Sequence, residues 1–256
     1  MKKLLLAAAG VVALTGMTAP AALAEKGDWQ FRVRAITVQP DEGANIQTIG
    51  GDVDIDTSVV PEFDISYFFT DNIAAELILG VTPHDVMAVD TAVGDLDLGE
   101  VTLLPPTLTV QYHFNPEGQI RPYLGAGVNY TIFFNDDLPA NTILDGIDYD
   151  PSFGLALQAG VDYALNERWF LNFDVKKVWI NTDVEVDATT ALSAVVKADV
   201  DIDPWFVGVG FGWRYYVRLN SRTMGGRLVL RGARLALGRM IVARVSRYVA
   251  SGAGLR

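Results

Sequence analysis

The chain of 256 residues carries 31 acidic and 20 basic side chains, a net charge of −11, and it contains no cysteine. The lack of cysteine excludes a disulfide framework and thiolate chemistry. No acidic residue follows Asp203, so residues 25–215 hold all 31 acidic side chains against nine basic ones, a net charge of −22. This balance argues against nucleic acid as a partner, because phosphate binding needs clustered lysine and arginine.

Residues 1–24 have the pattern of a secretory signal peptide. Lys2 and Lys3 precede an apolar stretch over residues 4–14, and the sequence ALA at residues 22–24 provides the small side chains that a signal peptidase needs. We therefore expect cleavage at the end of this segment and export of the chain. No later stretch reaches roughly 18 consecutive apolar residues, so the sequence predicts no membrane-spanning helix.

Apolar residues recur with a period of two in the exported part. Trp29, Phe31 and Val33 share one face of the first segment, whereas Arg32 and Arg34 share the other. Such alternation is typical of a strand with one apolar and one polar face. It recurs in residues 59–69, 73–81, 104–114, 122–134, 152–165, 169–180 and 205–215. We therefore expect eight strands.

The connections between these segments alternate in length. Residues 70–72, 115–121 and 166–168 form short turns, whereas the long, polar and acidic connections span roughly residues 39–56, 83–101, 135–150 and 185–199. This arrangement is typical of bacterial outer-membrane barrels. The sequence thus predicts an all-β, eight-stranded, antiparallel, up-and-down transmembrane β-barrel with short periplasmic turns and long extracellular loops.

Tryptophans support a membrane barrel over a soluble one. Trp169 and Trp179 bracket the seventh strand, and Trp205 and Trp213 bracket the eighth. Each bracket spans about ten residues, the length that a tilted strand needs to cross the hydrocarbon. The soluble alternative, a sandwich or a lipocalin-like barrel, fits less well because the polar faces combine many charges with many glycines.

Several blocks of the chain resemble the OmpW family of small outer-membrane proteins. LLPPTLTVQYHFNPEGQIRPYLGAGVNYTIFF at residues 103–134 is similar to the central signature of that family, and residues 31–42, 67–78 and 203–215 resemble it in the same order. The resemblance covers residues 25–215. It implies an eight-stranded barrel with an unusually hydrophobic lumen that passes small apolar molecules, with both termini in the periplasm and no cofactor.

The inward-facing positions predict a charged floor beneath an apolar cup. Eight strands enclose an interior about wide enough for side chains to fill, so we expect no open aqueous pore. Opposite charges packed there should pair, because an unpaired buried charge is costly. The predicted floor consists of Arg32, Arg34, Glu62, Asp64, Glu76, Asp162, Asp174, Lys176 and Arg214. The predicted cup, nearer the outside, consists of Ile36, Val38, Val178, Ile180, Val184, Ile202 and Phe206.

These features lead to the hypothesis that hydrophobic solutes enter the cup from outside and leave sideways into the bilayer. Lateral exit needs a weak place in the wall, and Pro61, Pro105 and Pro106 in the second and fourth strands each remove a ladder donor. One alternative is that the cup is only barrel packing and the prolines mark bulges near the rim. Another is a structural or receptor barrel without transport activity.

Acidic residues alternate with valines in the outer part of the last two strands. Asp183, Glu185, Asp187, Asp199, Asp201 and Asp203 would form an outward carboxylate ladder just above the membrane. Neighbouring like charges repel each other, so divalent cations that bridge them to lipid phosphates are one hypothesis. The alternative is a solvated strand extension.

The sequence offers little for catalysis. His84 falls in an outer loop and His113 near the periplasmic floor, so they are not expected to share a site. We predict a protein that is not an enzyme, with a barrel acting on lipopolysaccharide as the alternative. Its expected partners are membrane lipid, lipopolysaccharide, small hydrophobic solutes and the barrel-assembly machinery, and we expect a monomer in the outer membrane of a Gram-negative bacterium.

Residues 216–256 differ from the rest, with nine arginines and no acidic residue, and they have no counterpart in the family pattern. The arginines spread around a helical wheel, which argues against a membrane-surface helix. The composition resembles GC-rich DNA translated in a wrong frame, so we expect a frame artefact, with a disordered appendage or a periplasmic basic arm as alternatives. The family resemblance implies that the assembly machinery recognises a last strand with an aromatic end, here Tyr215.

Overall fold

The computed structural model describes residues 26–136, 138–140, 142 and 144–216. The predicted signal peptide and residues 217–256 of the predicted basic extension lie outside these residues. The compact unit to which the described residues belong ends at Tyr216.

Fifteen strands and one short helix follow one another along the described chain. They are β1 (Trp29–Gln39), β2 (Gly43–Ile46), β3 (Asp52–Ile55), β4 (Ser58–Phe68), β5 (Ile73–Gly80), β6 (Thr82–Val89), β7 (Leu96–Leu104), β8 (Thr107–His113), β9 (Ile120–Phe134), β10 (Gly146–Tyr149), β11 (Ser152–Ala164), β12 (Trp169–Val178), β13 (Asn181–Ala188), α1 (Thr189–Leu192), β14 (Ala194–Asp201) and β15 (Trp205–Tyr215). No helix in this part of the chain is long and apolar enough to cross a membrane.

Eight of the strands close into an antiparallel barrel. The ring runs β11-β12-β15-β1-β4-β5-β8-β9, and β9 pairs back onto β11. The first and last strands of the chain, β1 and β15, are neighbours in this ring, with Trp29 opposite Tyr215 and Gln39 opposite Trp205. The prediction of an eight-stranded up-and-down barrel is confirmed.

Side chains alternate between the lumen and the outside along the barrel strands. On β1, Arg32 and Arg34 are 0% and 1% exposed, whereas Val33 between them is 48% exposed. A soluble sandwich or lipocalin-like barrel would bury the valine and expose the arginines. Val59 and Phe153 are among the most exposed outward side chains, as expected where hydrocarbon is the solvent.

The two ends of the barrel differ in their connections. The short turns between β4 and β5, β8 and β9, and β11 and β12 lie at the end where β1 begins and β15 finishes. Short turns face the periplasm in bacterial outer-membrane barrels, so we call this the periplasmic end and the opposite one the extracellular end.

The extracellular connections contain regular strands, although the sequence predicted polar loops there. β3, β6 and β7 extend the sheet beside β9, and β10, β13, β14 and β2 form a separate four-stranded sheet. The cause is the same alternation as in the barrel. Val53 and Ile55 are buried while Asp52 and Asp54 are exposed, so an acidic sequence still presents an apolar face to the interior.

Candidate functional site

The lumen near the periplasmic end is filled by charged side chains that pair with one another. The Arg32 guanidinium lies 3.0 Å from Asp64, 2.5 Å from Glu76 and 3.3 Å from Asp162, and all four side chains are fully buried. The three carboxylates belong to β4, β5 and β11. One arginine therefore links distant parts of the ring through charge-assisted hydrogen bonds.

A second group of ion pairs lies one step closer to the extracellular end. Arg34 Nε is 2.8 Å from Glu62 Oε1, and Arg34 Nη2 is 2.7 Å from Asp64 Oδ2. Lys176 Nζ is 2.6 Å from Glu62 Oε2 and 3.7 Å from Asp174 Oδ1. Each carboxylate in this group therefore faces at least one cation, which is the condition for burying charge at tolerable cost.

Neutral polar side chains complete the floor. Gln111 Nε2 donates to Glu76 at 2.7 Å, and the Tyr123 hydroxyl donates to Asp174 at 2.6 Å. The structure buries every predicted floor residue inside the lumen: Arg32, Arg34, Glu62, Asp64, Glu76, Asp162, Asp174, Lys176 and Arg214. Arg214 lies nearest the periplasmic end and bonds to Gln30 instead of a carboxylate.

Inward-facing glycines make room for these large side chains. A Cβ added to Gly210 would lie 2.7 Å from the Cα of Arg34, and one on Gly160 would lie 2.3 Å from the Tyr123 hydroxyl. The space gained is filled completely, because Arg32 and Asp162 are 0% exposed. At this level the lumen has no gap wide enough for a water molecule to reach these charges.

Above the floor the lumen is apolar. All seven predicted cup residues are buried in one hydrophobic cluster: Ile36, Val38, Val178, Ile180, Val184, Ile202 and Phe206. The cluster also contains residues that sequence reasoning missed because they lie in the extracellular strands: Val53, Ile55, Val86, Val101, Leu103 and Val200. Their alternation with acidic or small residues was the available signal.

A cavity of about 70 Å³ lies within the extracellular part of this cluster. Val184 and Ile202 line it together with side chains from the extracellular strands, and the other five predicted cup residues fill the layer between the cavity and the floor. An engineered apolar cavity of roughly 150 Å³ holds one benzene molecule. The cavity is smaller than that, so a solute of this size requires the extracellular strands to move apart.

The barrel wall is interrupted beside the cavity. β5 and β8 pair up to Ile78 opposite Thr107, and β6 and β7 pair from Thr82 opposite Leu103 in the same register. No ladder pair joins the residues between these two blocks, which are Leu79, Gly80 and Val81 on one side and Leu104, Pro105 and Pro106 on the other. We call this interruption the wall gap.

The three predicted prolines border the wall gap. Pro105 and Pro106 lie in the connection between β7 and β8, not within a strand as the sequence suggested. Pro61 lies in β4, whose pairing with β5 ends at Glu62 opposite Gly80, one step before Pro61 would meet Val81. Leu103 lines the cavity and belongs to the first pair above the gap, so the cavity and the gap adjoin.

The two histidines lie in different layers, as expected from their places in the predicted barrel, but His84 lies on a strand and not in a loop. His113 is buried in the floor beside Gln111, whereas His84 on β6 lines the cavity. The His84 ring donates from Nδ1 to the Asp56 carbonyl at 2.7 Å. Burial lowers the pKa of His84, and this outweighs the Asp56 hydrogen bond and the nearby carboxylates, which raise it.

The lowered pKa of His84 predicts a pH-dependent stability. Because the pKa of His84 is lower in the folded chain, the unfolded chain binds more protons at and just below the ordinary pKa of about 6.5. The free energy of unfolding should therefore fall as the pH drops below about 6.5. Urea unfolding in detergent at several pH values would measure the slope. His84→Gln should flatten it, and an unchanged slope in this variant would contradict the assignment.

Four members of the predicted carboxylate ladder are exposed on β13 and β14, namely Asp183, Glu185, Asp199 and Asp201, and several members have other partners. Asp183 lies opposite Asp199, and Asn181 Nδ2 donates to Asp199 and Asp201 at 2.7 and 2.8 Å. Glu185 pairs with Lys197, and Asp203 accepts from the Ile180 amide. Among the described residues no group of three or more acidic, histidine or cysteine side chains could hold a metal ion. The cation hypothesis for Asp183, Glu185, Asp199, Asp201 and Asp203 therefore lacks a supporting cluster.

Two of three similar curated proteins are outer-membrane proteins by name, and the third is named for an operon. The outer-membrane protein y4mB of Sinorhizobium fredii is 46% identical over 188 residues, covering 73% of this chain and 80% of the relative. Outer membrane protein W of Vibrio cholerae is 34% identical over 224 residues, covering 84% and 100%. The dibenzothiophene metabolism operon protein PahQ of Pseudomonas aeruginosa is 30% identical over 198 residues, covering 75% and 90%.

Solved structures agree with the fold. The outer membrane protein OprG of Pseudomonas aeruginosa is similar with a TM-score of 0.72 at 30% identity, covering 78% of this chain and all of that one. AlkL, determined in lipid bilayers, is similar with a TM-score of 0.60 at 26% identity, covering 80% and 97%. The protein is thus a barrel of the Gram-negative outer membrane. Since the OmpW family profile matches residues 25–215, this chain belongs to the OmpW family.

Proposed function

We propose that the protein carries small hydrophobic molecules from the cell exterior into the outer membrane, through the apolar cavity and out by the wall gap. The observation that carries this proposal is the contact between the two features. An apolar cavity ends at an interruption of the wall, and a packed apolar layer and a buried, charged floor close the lumen below it. A solute in the cavity thus has its nearest way out through the side of the barrel.

The chemistry of the cavity, the floor and the bilayer favours movement of the solute from the cavity into the bilayer. The free energy of an apolar solute falls when it moves from water into an apolar cavity. It would rise if the solute displaced the hydrogen bonds of the buried ion network. The bilayer beyond the wall gap is as apolar as the cavity. The relative PahQ is named for the metabolism of dibenzothiophene, which is an aromatic and poorly soluble compound. The proposed role uses no catalytic group or cofactor.

Uptake into liposomes tests this proposal. Purified protein would be reconstituted into liposomes, and the transfer of an added long-chain alkane or aldehyde to the lipid would be followed against protein-free liposomes. Val184→Asp and Ile202→Asp put a carboxylate into the lining of the cavity, so both should reduce uptake to nearly the protein-free rate. Val195→Asp, at an exposed position of β14, is the matched control and should leave uptake unchanged.

The folded fraction of each variant is measured by the heat-dependent shift of its mobility in detergent gels, and uptake is expressed per folded barrel. Uptake by wild-type protein no faster than by protein-free liposomes would overturn the proposal. Equal uptake by wild type and both aspartate variants would show that the cavity is not on the route.

A further inference from the structure

The extracellular part of the barrel consists of two half-walls around the cavity. Strands β2, β10, β13 and β14 form one, which we call the outer sheet, and β3, β6, β7 and the end of β9 form the other. Val184 and Val200 of the outer sheet line the cavity from one side, and Val86 and Leu98 line it from the other. The cavity therefore widens if the two half-walls move apart.

The half-walls meet along two seams, and the seam between β2 and β3 is held by covalent and hydrogen bonds. Residues 47–51 join these two strands directly. The Ala44 amide of β2 donates to Asp52 Oδ1 of β3 at 2.8 Å. The Ile49 carbonyl in the connecting turn accepts from the Ala92 amide of the other half-wall at 2.9 Å. This side of the extracellular part is therefore the fixed one.

The seam between β9 and β10 is closed by two aromatic rings. The ladder of β9 with β11 ends at Thr131 opposite Ser152. Beyond that pair β9 bonds to β7 and β10 bonds to β13, and among the described residues no ladder pair joins β9 to β10. Phe133 of β9 stacks on Tyr149 of β10, with ring centroids 5.5 Å apart and an interplanar angle of 17°. Both rings line the cavity.

Four short, irregular connections join the outer sheet to the barrel. Three of them contain a proline, which cannot donate to a ladder, and the four span residues 40–42, 150–151, 179–180 and 202–204. In this layer the Ile180 amide donates to the Asp203 side chain at 3.0 Å instead of to a neighbouring strand. Residues at the ends of elements absorb the backbone rotations of hinge movements. The outer sheet is therefore able to tilt while the ladders of the barrel stay intact.

We propose that solutes enter the cavity through the seam between β9 and β10, and that Phe133 and Tyr149 form its gate. The outer sheet tilts about its four connections while the side of β2 and β3 stays closed, so the two rings separate and the cavity widens. Burial of the rings favours the closed form in water, and an apolar solute replaces the ring contacts during its passage. The inference rests on the proposed function, because it adds an entrance to the route whose exit is the wall gap.

Thiol labelling measures the opening of the seam without transport. Because the chain contains no cysteine, Ala88→Cys places a single thiol in the cavity lining, where Ala88 is 5% exposed. N-ethylmaleimide is larger than benzene, so it reaches this thiol only when the half-walls move apart. In this background Phe133→Leu removes the ring stack but keeps an apolar side chain, and labelling of the folded barrel should accelerate about fivefold.

Val200→Ala is the matched control for this labelling experiment. Val200 lines the same cavity and pairs with Ala44 of β2, on the side away from the seam. The variant enlarges the cavity and leaves the ring stack in place, so its labelling rate should match that of the parent. Equal rates in Phe133→Leu and the parent would overturn the proposal. An equal acceleration by Val200→Ala would also overturn it, because the volume of the cavity and not the seam would then limit access.

Cross-linking tests the seam during uptake. Ile132 on β9 and Asp150 beside β10 are exposed, so cysteines at both positions can be joined across the seam by bismaleimidohexane. The cross-link should reduce uptake into liposomes about tenfold or more, relative to the same variant before cross-linking. Cysteines at Asp183 and Asp199, a ladder pair within the outer sheet, are the control, and their cross-link should leave uptake unchanged. Undiminished uptake with the seam cross-linked would overturn the entrance. Absence of uptake by wild type would overturn the proposed function alone, because the labelling rates test the seam independently.

Discussion

Replacing Arg32 by methionine should destabilise the barrel by about 3–5 kcal/mol, the usual loss when one partner of a buried ion pair is removed. Arg32 forms ion pairs with Asp64, Glu76 and Asp162, and none of these side chains is exposed. Methionine keeps a similar length and leaves three carboxylates short of a cation. Reversible urea unfolding of the folded protein in lipid vesicles would measure the free energy difference.

Lys197→Met is the control for this prediction, because it removes the same charge from an ion pair that is solvated. The Lys197 and Glu185 side chains are 57% and 54% exposed, and exposed pairs contribute little to stability. This variant should unfold like wild type. Equal free energies of unfolding in wild type and Arg32→Met would mean that water or protonation of the carboxylates replaces the missing cation.

Replacing Pro105 by valine should slow hydrophobic uptake roughly fivefold, if one new hydrogen bond of about 1 kcal/mol narrows the wall gap. The Tyr130 amide donates to the Pro106 carbonyl, so Pro106 faces β9. The common register of the two flanking ladders places Pro105 opposite Gly80 across the gap. Valine at position 105 supplies an amide that can donate to Gly80, whereas the carbonyl of residue 105 already accepts from Asn129 Nδ2 and Thr107 Oγ1 at 3.1 and 3.0 Å.

Pro106→Val provides a matched control one residue away, because its new amide points towards β9 and leaves the wall gap unchanged. Its uptake in the liposome assay should match wild type. A similar loss in both variants would mean that proline removal acts by general stiffening, and undiminished uptake in Pro105→Val would exclude the wall gap as the exit.

The strands and the floor could be predicted from sequence because a period of two is a strong signal. Inward and outward sets along β1, such as Arg32 against Val33, differ in polarity at almost every step. Periodicity assigns a side chain to a face but not to a partner. The contact of Arg32 with Asp162 joins residues 130 positions apart, and it follows from ring closure and strand stagger, which the pattern does not encode.

The cup was predicted incompletely for a different reason. Acidic residues such as Asp52 and Asp54 suggested solvated loops, although Val53 and Ile55 between them turn inward and cover the cavity. Above the membrane the outside of a strand faces water again, so the outward positions become acidic while the inward ones stay apolar. The alternation persists across the membrane boundary, but the chemistry of the outward set reverses.

The ion pairs of Arg32 also constrain the order of assembly. Its partners lie on β4 and β5 on one side and on β11, three places round the ring on the other. A half-built sheet in the bilayer would turn this guanidinium towards hydrocarbon with part of its anions missing, at a cost of several kcal/mol. We therefore expect open intermediates to be disfavoured within the membrane, and the ring and its electrostatic network to form together.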